Sequence, residues 1–109
     1  MGKIKTTKKT KEGQRMEYGQ ILATAGVAAS MEEDARFREE LAEAFARYIK
    51  KDWGDLDEED WKLNDESLQT GCRILAAYNT SLGKIWIITE AEDDEGHRSA
   101  TTFLFPHEY

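Results

Sequence analysis

The sequence is poor in the residues on which covalently stapled and metal-centred folds depend. It holds one cysteine, Cys72, which excludes an internal disulfide and a cysteine-rich zinc site. Its two histidines leave any metal site to carboxylates. One proline and eight glycines among 109 residues exclude collagen-like and low-complexity chains. No run approaches the roughly 20 apolar residues of a membrane-spanning helix. Neither GxGxxG nor GxxxxGK[ST] occurs, so nucleotide hydrolysis has no phosphate-cradling loop to rest on. Ser30, Ser67, Ser81 and Ser99 stand in no recognisable nucleophile elbow.

What is present is charge. With 39% hydrophobic and 34% charged residues, the chain has the makings of one small domain with its own core. Twenty-two acidic and 15 basic residues give a net charge of −7, unevenly spread. Residues 1–30 sum to +4 and residues 31–109 to −11. An acidic body with a short basic arm repels nucleic-acid phosphates along the body and attracts basic surfaces. The lysine-rich start followed by Ile21–Ala29 imitates a secretory signal. The apolar stretch is short, is broken by Thr24 and Gly26, and follows a long polar lead. The expected compartment is therefore the cytoplasm, with which a lone cysteine agrees.

Met1 to about Met16 has almost no apolar residues and reads as a disordered basic tail, leaving residues 17–109 as a single acidic α+β domain. Gln20 to about Ala25 reads as a strand ending at Gly26. Ser30–Lys51 reads as one long amphipathic helix. Ser30 and Glu33 have the spacing of a capping box, and Phe37, Leu41, Phe45 and Tyr48/Ile49 fall on one stripe. Between Leu56 and Gly71, one or two short helical turns are expected, with Asp57 capping residues Glu58 to Leu63 and Asn64 or Asp65 capping a turn closed by Gly71. Cys72–Asn79, Lys84–Glu92 and Ser99–Phe105 read as three strands joined by short turns, hence an antiparallel meander. The expected fold is α+β: helices packed on a three- to four-stranded, mainly antiparallel sheet. The middle strand is apolar on both faces, so its second face needs cover from the tail-proximal segment, the short helices or a second subunit. A meander with open edges also invites a homodimer.

Candidate chemistry divides into three readings. Asp52–Glu66 holds eight acids with Lys62 as counter-charge, and Glu90–Glu95 holds five acids in six residues. The partner-binding candidates are Asp55, Asp57, Glu58, Glu59, Asp60, Glu92, Asp93, Asp94 and Glu95, an array suited to an Arg/Lys-rich protein surface. Trp53 and Trp61 either anchor that interface or fill the core, and the core is the expected place. The second reading is a nucleic-acid contact through Lys3, Lys5, Lys8, Lys9, Lys11 and Arg15. The third is a small enzyme or ligand-binding domain with a carboxylate-lined pocket, which needs one carboxyl crowded or buried enough to raise its pKa. A calcium loop starting at Asp55 fails, since its sixth position is Asp60 rather than glycine. No cofactor, metal or membrane partner is expected, and no catalytic residue is singled out.

The series GDLDEEDWKLND, GCRILAAYN, KIWIITEA and ATTFLFPHEY resembles a family of small proteins described as plasmid-related, carried on mobile elements of Gram-positive bacteria. The resemblance runs from about Leu22 to Tyr109. It implies a role in the life of a mobile element and carries over no activity, cofactor or site residue. Glu92–His97 is longer than the family's usual turn before the last strand. The leading expectation is a non-enzymatic interaction protein that docks its acidic face on a basic protein surface.

Overall fold

The computed structural model describes residues 16–109. Strand β1 (Gln20–Ala23) is followed by helices α1 (Ala25–Glu33), α2 (Ala35–Ile49) and α3 (Glu58–Thr70). Strands β2 (Ile74–Thr80), β3 (Gly83–Thr89) and β4 (Ala100–Leu104) then form the expected meander, closed by a 3₁₀ turn at Pro106–Glu108. The strand order is β1-β4-β3-β2, with two antiparallel pairings and one parallel pairing between β1 and β4. The fold is α+β, with three helices on a four-stranded mixed sheet.

The helix expected over Ser30–Lys51 is two helices. Asp34 is extended (φ −135°, ψ 103°) and belongs to both ends. Its amide donates to the Ser30 carbonyl (3.0 Å), closing α1, and its carboxylate accepts from the Phe37 amide (3.0 Å), capping α2. Ser30 lies inside α1 and caps nothing, because the chain is already helical from Ala25. Of the stripe expected on α2, Ile49 is 44% exposed and Phe45 is half-buried against the core, while Phe37, Leu41 and Tyr48 are buried, with Ala44 beside them. They join Ile74, Ala76, Tyr78, Ile85, Ile87 and Phe103 from one face of the sheet in a single core. The segment before β2 is one 13-residue helix rather than separate turns, and Asn64 and Asp65 lie inside it, bonded to Leu75 and Trp53 instead of capping a second turn. Asp57 caps α3 through the Asp60 amide (2.8 Å), and Gly71 ends it in the left-handed region (φ 82°).

The chain's own C-terminus, which was not among the expected sources, covers Trp86 on the second sheet face. Trp86 and Ile88 lie on that face. The Tyr109 ring meets Trp86 edge-on at 5.7 Å, and its hydroxyl accepts from Arg73 (2.6 Å).

The meander's edges are closed as well. β1 covers β4. Along the outer side of β2, the Ala77 amide donates to the Trp53 carbonyl (3.2 Å) and the Asp55 amide to the Ala77 carbonyl (2.7 Å). The Asn64 side chain serves Leu75 at both ends, donating to its carbonyl (2.9 Å) and accepting from its amide (3.3 Å). Gly54 makes the approach possible. It sits at φ 80°, and a Cβ there would stand 2.0 Å from the Ala77 oxygen.

Candidate docking surface

Helix α3 carries five acidic residues, with its cap Asp57 adding a sixth. Its first turn holds Glu58, Glu59 and Asp60, where carboxylates favour the positive end of the helix dipole. All three are exposed, as are Asp57, Asp65 and Glu66, and Lys62 is the one cation on the helix. Asp57, Glu58, Glu59, Asp60 and Glu66 take part in no ion pair among the described residues.

Other members of the array are already engaged. Asp55 pairs with Lys84 (2.6 Å), which pushes its carboxyl below the ordinary range. Asp65 accepts from the Trp53 indole (2.9 Å). Asp52 pairs with Arg47 (2.8 Å) and accepts from the Gly54 amide.

The second block sits at the far end of α3. The Glu92 amide donates to the Gly71 carbonyl (2.8 Å), placing the acidic turn beside the helix C-terminus. A 13-residue helix is about 20 Å long, so the two blocks flank α3 instead of merging. Within the turn, Asp93 accepts from the His97 amide (3.0 Å) and the Glu95 amide (2.9 Å), which hold its pKa down. Glu92 lies 4.0 Å from the buried Arg98 guanidinium. Asp94 and Glu95 are exposed and have no ion pair among the described residues.

Between α3 and β2 runs a groove of about 510 Å³. Leu56, Leu63 and Leu75 give it apolar walls, with Asp60, Glu66 and Arg73 among its charged lining residues. Leu63 is 55% exposed. Sequence reading missed this groove. No spacing in the sequence marks it, because Leu56 precedes the Asp57 cap, Leu63 lies on α3 and Leu75 on β2, and only the fold brings the three together. The tryptophans are not part of the surface patch. Trp53 is fully buried, and Trp61 packs against the core.

The remaining candidates are less connected. Lys3, Lys5, Lys8, Lys9, Lys11 and Arg15 lie outside the described residues. Cys72 is exposed and forms no side-chain hydrogen bond with a histidine among the described residues. His97 pairs with Glu17 (3.2 Å), and His107 stacks on Phe105 at 5.7 Å. Among the described residues, no group of three or more His, Cys, Asp or Glu side chains is placed to hold a metal ion. Where the structure moves a carboxyl pKa, at Glu17, Asp52, Asp55, Asp93 and Glu108, it moves it down. That is opposite to the direction a general acid needs. No helix among the described residues is long and apolar enough to cross a membrane.

No family model matches the chain, and neither a curated protein nor a solved structure is found similar to it.

Proposed function

We propose that the chain is a non-enzymatic interaction protein that docks the α3 surface on a basic protein segment. The observation that carries the reading is an apolar groove with an exposed leucine beside carboxylates that have no ion-pair partner among the described residues. Charge of one sign speeds encounter, and the apolar walls give an arriving side chain a place to be buried. A segment mixing Lys or Arg with Leu or Met fits both properties. The resemblance to plasmid-related proteins supports a partner met by a mobile element. A basic nucleic-acid-binding protein has the right surface chemistry.

The test separates place from total charge. A synthetic amphipathic peptide of lysine, arginine and leucine is titrated by calorimetry into three proteins. These are the natural chain, a Glu59→Lys/Glu66→Lys variant, and a Glu32→Lys/Glu43→Lys variant of equal net charge. Binding that weakens with salt and is lost only in the α3 variant supports the reading, provided circular dichroism shows α3 intact. Equal losses in both variants reduce it to non-specific attraction and overturn it.

A further inference from the structure

β1 is the strand whose outer edge is left unfilled among the described residues. The Gln20 amide donates to the Ser99 carbonyl and the Thr24 amide to the Phe103 carbonyl, both at 3.0 Å. With a period of two, Ile21 and Ala23 direct their backbone N–H and C=O groups away from the sheet. All four residues of β1 are exposed, with Ile21 at 52% and Leu22 at 41%. Beside the strand lies a groove of about 360 Å³ lined by Ile21, Met31, Leu41, Phe45 and Phe103. Arg38, the charged residue lining it, is tied to the Met31 carbonyl.

Natural edge strands carry charges, prolines or bulges that discourage pairing. β1 carries none of these. Gly19–Met31 is a stretch of 13 residues without a charged side chain, in a chain of net charge −7. We propose that this edge is the contact between two copies of the chain, with β1 pairing antiparallel to β1 of a second copy in a continuous eight-stranded sheet.

Three observations fix the occupant. First, charge: at an acidic face a second copy brings carboxylate against carboxylate, whereas at β1 it brings none. The same neutrality makes this edge unsuited to the basic partner of α3. Second, shape: strand addition needs an occupant with its own unfilled edge and apolar residues on both faces, and β1 is such a strand. Third, closure: residues 53–55 and Asn64 occupy the β2 edge, so pairing stops at two copies and does not run on as a fibre. The register follows. Ile21 stands opposite Ala23 of the second copy and exchanges both backbone hydrogen bonds with it. Leu22 meets its own counterpart on the two-fold axis.

Sedimentation equilibrium on the full chain tests the assembly. The expected mass is 25 kDa, twice the 12.5 kDa chain, falling toward the monomer on dilution. Leu22→Lys alone and Leu22→Glu alone each place like charges on the axis and yield monomers with unchanged circular dichroism. Mixed in equal amounts they restore a dimer, since lysine then faces glutamate. The Ile21 and Ala23 amides are protected from hydrogen exchange in the natural chain and lose protection in each variant alone. A full chain that stays at 12.5 kDa overturns the proposal and leaves the edge to the chain's own N-terminal residues or to a different protein. Dimers that survive both variants, or a mixture that stays monomeric, overturn the pairing about Leu22.

Discussion

Two buried polar networks show how strictly the core is specified. Tyr48, Thr89 and Thr101 are fully buried and linked by hydroxyls: Tyr48 to Thr89 at 2.6 Å and Thr89 to Thr101 at 2.7 Å. Thr101 donates to the Tyr18 carbonyl (2.7 Å), which fixes the direction of the whole chain of bonds. Thr89 must donate to Thr101, and Tyr48 to Thr89. Tyr48→Phe therefore removes only the terminal donor and costs about 1 kcal/mol. Thr89→Val strands the buried Tyr48 hydroxyl and breaks both links, costing about 2–3 kcal/mol. Urea denaturation of the two variants checks that order. Arg98 is the other case, 4% exposed in an acidic protein. Its guanidinium donates to the carbonyls of Ser67 (3.0 Å), Cys72 (2.9 Å) and Glu90 (3.0 Å), tying the C-terminal end of α3 to the end of β3. Arg98→Met leaves those acceptors without their donor and costs about 3 kcal/mol. Arg98→Lys recovers part of that, because one ammonium cannot reproduce the planar fork.

The elements are held at their ends and edges by side chains distant in sequence. The Glu108 carboxylate accepts from the Thr24 hydroxyl (2.5 Å), the Gly26 amide (2.8 Å) and the Phe105 amide (3.1 Å), so the C-terminus caps α1. Hydrogen bonds from the Thr24 hydroxyl first, and then from the Phe105 amide, hold the Glu108 carboxyl below its ordinary value of 4.5. The folded pKa is the lower one. The stabilisation is thus present at neutral pH and lost as pH falls through the folded value. Glu108→Gln should melt below the natural chain at pH 7, with the gap closing in acid. At the other edge, Asn64→Leu unpairs both backbone groups of Leu75 and costs about 2 kcal/mol, measurable by thermal unfolding. These long-range ties explain what the sequence could not reveal. The α2 stripe, the Asp57 cap, the Gly71 stop and three strands were legible because each rests on neighbours within a few residues. The break at Asp34 was masked by Ser30 and Glu33, which mimic a capping box four residues earlier. The parallel seating of β1 on β4 joins residues some 80 positions apart, and nothing in QILA encodes it.

At the scale of the molecule, charge governs. From Met16 onward there are 21 acidic and nine basic residues, a balance of −12. Exposure of the acidic blocks was legible, since dense carboxylates have to remain hydrated. Their inequality was not, because the fold assigns each block a different end of α3. Glu58, Glu59 and Asp60 sit where the helix dipole favours negative charge, so their repulsion is offset locally. Asp94 and Glu95 lie in a turn, have no ion pair among the described residues, and gain no such offset. Asp94→Asn with Glu95→Gln should therefore stabilise the protein by a few tenths of a kcal/mol at low salt, because the relieved repulsion outweighs the attraction of Glu95 for His97. Glu58→Gln with Glu59→Gln should destabilise it by about 0.5–1 kcal/mol, because the lost dipole interaction outweighs the relieved repulsion. Both differences shrink as salt rises and the screening length falls from about 30 Å at 0.01 M to about 10 Å at 0.1 M. Thermal melts of the two double variants beside the natural chain, at both ionic strengths, measure this. If both variants shift in the same direction at low salt, α3 gives its acids no special place and the two blocks act as one undifferentiated charge.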